Sequence, residues 1–350
     1  MVLTVGIDVH KDTHTAVMVD ELGREQAQRT VRATDAGHRA LVAWARSQNS
    51  QLMWAVEDCR HVSTRLERAL LAAGQRVVRV PPKLWDGGRR SARTRGKSDP
   101  IDALAIARAA LRETDLPVAE HDQASRELKL LVDRREDLVA ERTRMINRLR
   151  WHLHELDPEL DVPARSLDQP RRLDRLAAHL TDAHTGLVAQ LAGELVGDIA
   201  ERSTRIRALE REITTRTRQV APRLLELPGC GALTAAKIVG ETARPGRFRS
   251  EACFAMHAGA APVPASSGRT ERHRLARGGN RQLNVALHRI ALTQTRLPGS
   301  LGQAYYQRRR AGGDNTMEAL RVLKRRLARV VFNLLTTHHT APAAPQPAAA

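Results

Sequence analysis

Four carboxylates stand where an α/β fold would bring them together. Asp8 ends the apolar run VLTVGID, and Glu57 ends the run LMWAVE. Asp99 and Asp102 are three residues apart at the start of a predicted helix, so both project from one helix face. Carboxylates that converge repel one another unless divalent cations neutralise them, and Mg²⁺ (or Mn²⁺) favours such oxygen ligands. The pattern therefore predicts a metal-dependent phosphoryl-transfer site.

Each carboxylate also has a simpler interpretation. The segment DPID at 99–102 is a good helix start, with Asp99 as the N-cap and proline in the first turn. Asp8 could end a strand before a turn, and Glu57 could lie in a solvated loop. The order of the four, on two strand ends and a helix start, favours the catalytic interpretation.

A pair of serines in an arginine-rich stretch is the second candidate for chemistry. Ser266 and Ser267 precede a glycine, and an ordinary turn is the simplest interpretation of that sequence. Guanidinium groups bind phosphate through paired hydrogen bonds, so this setting also suits a hydroxyl that attacks a phosphodiester. No neighbouring residue is identified as its general base. The arginines that follow are Arg269, Arg272, Arg274, Arg277 and Arg281.

A second basic cluster precedes the acidic pair at 99–102. It lies in the glycine-rich stretch DGGRRSARTRGKSD and consists of Arg89, Arg90, Arg93, Arg95 and Lys97. A charge run of this kind is often only a solvated face, but its position beside the acids favours a basic loop that contacts nucleic-acid phosphates.

The elements that must position these residues form an α/β layout. Three strands in close succession are followed by strands that alternate with helices, which predicts a mixed sheet with the strand order of a ribonuclease-H-like fold. A helix is predicted at about 98–112, after the sheet. The predicted strands are 2–9, 15–20, 27–32, 51–57 and 76–81, and the helices between them are 36–48 and 62–73.

The rest of the chain is predicted to be mainly helical. Residues 121–220 carry apolar positions near heptad spacing, which predicts two long helices joined through 158–170, either as a coiled coil or as an ordinary bundle. Residues 221–335 form a third region with a Pro-Gly-x-Gly turn, which resembles a helix-hairpin-helix in which Gly229 and Gly231 let backbone N–H groups approach a DNA phosphate. The segment 341–350 has the composition of a disordered tail.

Charge and composition limit the class of protein. Residues 221–350 hold 20 Lys and Arg residues against 6 Asp and Glu, and so supply most of the net charge of +18. A charge of this size predicts a polyanionic partner. No apolar stretch approaches the about 18 residues of a membrane helix. The 3 cysteines are far apart, which favours a reducing compartment over a disulfide framework, and residues 1–9 lack the basic start of a signal peptide.

The combined motifs resemble a known family. The segments GIDVHKDTHTAV, RTRGKSDPIDALAIA, LPGCGALTAAKIVGE and AAPVPASSG, with the long helical middle, are similar to the DEDD transposases of bacterial insertion-sequence family one-hundred-and-ten, the bridge-RNA-guided recombinases. The chain departs from the family in the segment after the glutamate, DCRHVS, and in the basic hairpin GRTERHRLARGGN. Neither departure removes a motif residue.

The resemblance implies roles for the candidate residues. Asp8, Glu57, Asp99 and Asp102 would form a RuvC-like metal site in a domain spanning 1–115, and Ser267 would be the nucleophile, with Ser266 as the alternate. It further implies a phosphoserine-linked DNA intermediate and a homo-oligomer, dimer or tetramer, held by the coiled coil. The implied partners are donor and target DNA and a structured noncoding guide (bridge) RNA, met in the bacterial cytoplasm at the nucleoid.

Three other classes fit parts of the sequence. A sugar-kinase-like ATPase would share the opening loop, but it also requires a second Asp-x-Gly-Gly loop and an adenosine loop that the sequence lacks. A non-catalytic nucleic-acid-binding protein explains the net charge but not the four placed carboxylates. A Holliday-junction-resolvase-like nuclease explains the carboxylates but not the third region with its serines.

Overall fold

The computed structural model describes residues 2–58, 60–91, 98–113, 116–120, 122–160, 162–163, 165–264, 273–276 and 278–339. Within these ranges the contacts divide the chain into two compact units. The first, the α/β unit, comprises residues 1–122 and 244–254; the second, the helical unit, comprises 123–243 and 255–350. No helix among the described residues is long and apolar enough to cross a membrane.

A five-stranded mixed sheet forms the centre of the α/β unit, with strand order β3-β2-β1-β4-β5. β1 pairs antiparallel with β2 and β2 with β3, whereas β4 runs parallel to β1 and β5 parallel to β4. This order confirms the predicted ribonuclease-H-like sheet. The strands are β1 (Leu3–Val9), β2 (Thr13–Val19), β3 (Glu25–Arg32), β4 (Leu52–Glu57) and β5 (Arg76–Val80).

Helices cover both faces of this sheet. Its apolar residues alternate with the strand period, so that Val5, Ile7 and Val56 pack with one pair of helices and Val17 and Val78 face another. The first face carries α1 (Asp35–Gln48) and α2 (Arg60–Ala72), and the second carries α3 (Pro82–Ser91) and α4 (Asp99–Arg112).

Helix α3 is a correction to the sequence analysis, which gave its second half to the basic loop. Two glycines at 87–88 argue against a helix, since glycine is a weak helix former. The helix forms because Leu84 and Trp85 are held in the apolar core with α4, and because a proline starts it.

The helical unit contains two 34-residue helices that pack antiparallel. Their direction follows from cross-helix contacts: Arg135 bonds to Glu210, and the later Arg142 bonds to the earlier Ser203. A third helix, which was not predicted, packs beside them through Leu173, Leu176 and Leu180. These helices are α5 (Gln123–Leu156), α6 (Pro170–Ala183) and α7 (Leu187–Val220).

The remaining described elements are helices of 4 to 24 residues, one 3-10 turn and one small hairpin. A 3-10 turn spans Pro245–Arg247, and the strands β6 (Pro262–Pro264) and β7 (His273–Leu275) pair antiparallel. The helices are α8 (Pro222–Leu225), α9 (Ala232–Thr242), α10 (Glu251–His257), α11 (Arg281–Arg296), α12 (Leu301–Ala311) and α13 (Thr316–His339).

Candidate active site

Two strand ends place Asp8 and Glu57 on the same face of the sheet. Ile7 pairs with Val56 in the parallel ladder between β1 and β4, so Asp8 and Glu57 are the next residues along neighbouring strands. Ile7 and Val56 both face α1 and α2. Because side chains alternate along a strand, Asp8 and Glu57 lie on the opposite face, which α4 covers.

Gly6 allows α4 to lie directly on β1. A Cβ atom at this position would overlap the carbonyl oxygen of Ala103 and the backbone nitrogen of Ala107. The helix face against the strand is itself built from small residues, Ala103 and Ala107, which are fully buried. This close approach brings the first turn of α4, with its two acids, toward the end of β1.

His10 connects the acids of the two elements. Its Nε2 atom lies 3.1 Å from Asp8 Oδ2 and 3.4 Å from Asp99 Oδ1. One ligand atom from each of the three residues lies within 4.8 Å of the others, so the group could hold a metal ion. The Asp8 side chain is 5% exposed and that of Asp99 is 48% exposed, so the cluster extends from the interior to the surface.

Asp102 and Glu57 interact electrostatically with this cluster. Burial raises the pKa of Asp8, and the neighbouring carboxylates of Asp102 and Asp99 raise it further, while His10 opposes them. Burial likewise raises the pKa of Glu57, and the neighbouring carboxylates of Asp8 and Asp102 raise it further. Asp8 therefore lies within electrostatic range of the other three predicted carboxylates, and Glu57 lies within range of Asp102 as well.

This arrangement fits a divalent cation. Crowded, partly desolvated carboxylates are costly when ionised, and a bound cation would relieve that cost through oxygen ligands. Asp99 is also not the helix N-cap: Ser98 occupies that position, and Asp99 is the first residue of α4. The helix-cap interpretation of Asp99 is wrong, because its carboxylate lies at His10.

His10 was not predicted from the sequence to be a member of the cluster. The signal was available, because a residue two positions after Asp8 returns to the same side of an extended chain. The tight turn after β1 keeps it there, since the His10 N–H donates to the Thr13 carbonyl oxygen at 3.0 Å.

The other predicted site residues belong to other elements or lie outside the described residues. Gly229 has a positive φ of 84° in the turn before α9, Gly231 is the N-cap of α9, and Arg281 is the first residue of α11. Arg89 and Arg90 fall within α3, and Arg274 within β7. Outside the described residues lie Arg93, Arg95, Lys97, Ser266, Ser267, Arg269, Arg272 and Arg277.

Known families match both ends of the chain. Residues 5–158 match the DEDD transposase family of IS110, and residues 221–307 match the family described as Transposase IS116/IS110/IS902. The 44.8 kDa protein of insertion element IS116 from Streptomyces clavuligerus is 31% identical, over 95% of this chain and 94% of that protein. The chain belongs to the IS116/IS110/IS902 transposase family. Its activity is accordingly that of a transposase, an enzyme of DNA recombination.

Two further proteins resemble the transposase. The 42 kDa protein of insertion element IS900 from Mycobacterium paratuberculosis is 28% identical, over 95% of each of the two chains. A solved structure of T. thermophilus RuvC in complex with a Holliday junction substrate is 16% identical, with a TM-score of 0.27, and covers 32% of the transposase and 94% of RuvC. The ribonuclease-H-like fold of the α/β unit is assigned from its strand order, β3-β2-β1-β4-β5, and not from the similarity to RuvC.

Proposed function

We propose that the transposase cleaves and rejoins DNA at the ends of its element with a Mg²⁺-dependent (or Mn²⁺-dependent) site formed by Asp8, Glu57, Asp99 and Asp102. The observation that carries the proposal is the group of Asp8, His10 and Asp99 at the end of β1, with one ligand atom of each within 4.8 Å of the others and the pKa of Asp8 raised by burial and by Asp102 and Asp99. Donor and target DNA are the substrates, met at the nucleoid in the cytoplasm.

Each residue of the cluster has a role in this proposal. Asp8 and Asp102 are buried, so their carboxylates are fixed by the packing of α4 on β1. Asp99 is half-exposed and lies at the entrance, where a phosphate would approach. When bound there, a divalent cation would neutralise the acids and act as a Lewis acid on the phosphodiester. His10 would orient Asp8 and Asp99 through the contacts it makes with both.

We further propose that Ser267, with Ser266 as the alternate, is the nucleophile. Its hydroxyl oxygen would attack phosphorus, the bond from phosphorus to a deoxyribose oxygen would break, and the serine proton would pass to that leaving oxygen through a base. The product is a phosphoserine-linked strand and a free hydroxyl. Arg269, Arg272, Arg274, Arg277 and Arg281 would bind the phosphate.

The described residues before and after these serines pair with each other. Strand β6 precedes residues 265–272 in the chain, β7 follows them, and the two strands pair antiparallel. In the segment just before β6, the carbonyl oxygens of Ala258 and Gly259 accept hydrogen bonds from the Asn284 side-chain amide at 2.9 and 3.0 Å.

Nucleic-acid contacts and self-association complete the proposal. A structured noncoding guide RNA would pair with donor and target DNA, with phosphates bound by the 89–97 cluster and by a helix-hairpin-helix at Gly229 and Gly231. The start of α9 suits that role, because Gly231 is exposed. Helices α5 and α7 would form the coiled-coil interface of a dimer or tetramer through exposed apolar residues: Leu130, Trp151, Leu187 and Leu191.

A cleavage assay with guide RNA, donor DNA and Mg²⁺ tests the proposal. Asp8→Asn is expected to remove cleavage, whereas Glu25→Gln, an exposed acid on β3, is expected to cleave as the wild type does. Denaturing gels of stalled reactions should show a protein–DNA adduct that Ser267→Ala loses and Ser266→Ala keeps. Cleavage by Asp8→Asn, or in EDTA, would refute the metal site; cleavage without any adduct would refute the serine. If the adduct is lost in Ser266→Ala instead, the nucleophile is Ser266.

A further inference from the structure

We propose that Asp157, His179 and His184 in the helical unit form a second metal site, which takes Zn²⁺. One ligand atom from each of the three side chains lies within 4.8 Å of the other two. All three residues are half-buried, and none belongs to the acidic cluster of the α/β unit. The inference does not depend on the proposed cleavage mechanism.

Two helix ends supply the three ligands. Asp157 directly follows α5, and its N–H donates to the Leu153 carbonyl oxygen at 2.8 Å. His179 lies in the last turns of α6, and His184 is the C-cap residue of that helix. The imidazole rings are 5.3 Å apart between centroids and nearly perpendicular, at 80°. An ion bound here would therefore join the end of α5 to the end of α6.

The packing beneath the cluster fixes the two helix ends. Leu153 on α5 and Leu173, Leu176 and Leu180 on α6 belong to one buried apolar cluster. Leu153 is one helical turn before Asp157, and Leu180 is adjacent to His179. The ligands therefore project from elements that are already packed together, which lowers the conformational entropy lost on binding an ion.

An unpaired polar atom points to a ligand. His179 Nε2 is buried and has no hydrogen-bond partner among the described residues. A buried polar atom without a partner destabilises the folded state, and coordination of a cation would satisfy that atom. The Asp157 carboxylate is held in one orientation, because its Oδ1 atom accepts a hydrogen bond from the Glu159 N–H at 3.0 Å. Hydrogen bonds of this kind commonly hold metal-binding carboxylates in place.

The donor set favours zinc over magnesium. Two imidazoles and one carboxylate suit Zn²⁺ in a tetrahedral site with a fourth position open to water, whereas Mg²⁺ prefers oxygen ligands. Ligand atoms at about 2.0–2.2 Å from a tetrahedral zinc ion lie about 3.4 Å from one another. That spacing falls within the 4.8 Å inside which the three ligand atoms lie.

Cobalt substitution on the untagged full-length protein tests the site. Co²⁺ in a tetrahedral site gives visible ligand-field absorption, and titration with Zn²⁺ should remove it by displacement. The variants are His179→Gln, His184→Gln and Asp157→Asn, with His154→Gln, an exposed histidine on α5, as the matched control. Asp8→Asn reports any ion bound at the acidic cluster, and far-UV circular dichroism reports the fold of each protein.

The wild type, His154→Gln and Asp8→Asn are expected to bind one tetrahedral Co²⁺ with the same visible spectrum, whether or not the acidic cluster holds a further ion. His184→Gln and His179→Gln should bind it more than about tenfold more weakly, since even the outer partners of metal ligands change affinity by about 10–100-fold. Absence of a tetrahedral spectrum in the wild type would overturn the site, as would its loss in Asp8→Asn or its retention in His184→Gln. If His179→Gln fails to fold, His184→Gln alone tests the site. His184 lies beyond the last turn of α6, so its replacement should leave the helix folded.

Discussion

The α/β unit buries some of its charged side chains, whereas those along the α5–α7 pair of the helical unit remain at least partly exposed. In the α/β unit, Asp8 and Asp102 are nearly inaccessible, and Glu67 at 2% exposure is paired with Arg79 at 16%. Along the helix pair, Arg135 and Glu210 keep 22% and 34% of their surface exposed. Burial makes the electrostatics of the first region strong and specific, whereas solvent weakens those of the second.

The ion pairs of the two regions give the largest expected contrast. Glu67→Ala leaves the Arg79 guanidinium buried without the carboxylate that it contacts at 2.7 Å. The free energy of unfolding should fall by about 3–5 kcal/mol. Glu210→Ala, which removes the partner of Arg135, should cost about 1 kcal/mol or less. Urea denaturation of both variants measures the two losses. Equal losses of unfolding free energy would show that the two regions do not differ in this way.

Protonation of a buried histidine pair is the next effect in size. His14 and His38 lie with their Nε2 atoms 3.2 Å apart. Burial, with the neighbouring His38, lowers the pKa of His14 to about 4, from 6.5. Between pH 6.5 and 4 the unfolded chain therefore binds more protons, and stability should fall as the pH falls, by about 3 kcal/mol in all. Above pH 6.5 this contribution is fully retained.

Denaturation at a series of pH values isolates that histidine. His14→Gln should show a shallower loss of stability on acidification than the wild type, while His154→Gln, an exposed histidine of the helix pair, should follow the wild type. Parallel pH profiles for His14→Gln and the wild type would show that the buried pair does not resist protonation.

The smallest expected effects are those of replacing one glycine in each unit by alanine. The two replacements should change stability in opposite directions. Gly6→Ala places a methyl group into the backbone of α4, and overpacking of this kind costs about 1–3 kcal/mol. Gly197→Ala on α7 meets open space and should raise stability by about 0.5–1 kcal/mol, because alanine is the better helix former. Thermal denaturation measures both changes. A stabilised Gly6→Ala would show that α4 does not lie tightly on β1.

Much of the α/β unit could be predicted from the sequence. Its strands alternate in apolar pattern and end in Asp8 and Glu57, so their positions and the shared edge follow from the pattern. The contact of Asp99 with His10 could not be predicted in the same way, because it depends on how closely α4 approaches β1. That approach is set by Gly6, whose role becomes clear only with Ala103 and Ala107 in place.

The helical unit was harder to predict. Helix α6 carries a regular leucine pattern, but its initial proline suggested a linker, although proline is common in the first turn of a helix. Asp157, His179 and His184 are 22 and 5 residues apart, without any short motif, so only the fold brings them together. Self-association of the protein through α5 and α7 remains a prediction.

The central claim is that the four carboxylates of the α/β unit form one divalent cation site. Binding of Mn²⁺ to the full-length protein, measured by electron paramagnetic resonance with Mg²⁺ as competitor, tests it most directly. The wild type and Glu25→Gln should bind Mn²⁺ in a form that Mg²⁺ displaces, and Asp102→Asn should lose that binding while keeping its circular dichroism spectrum. Equal Mn²⁺ binding by Asp102→Asn and the wild type would contradict the claim.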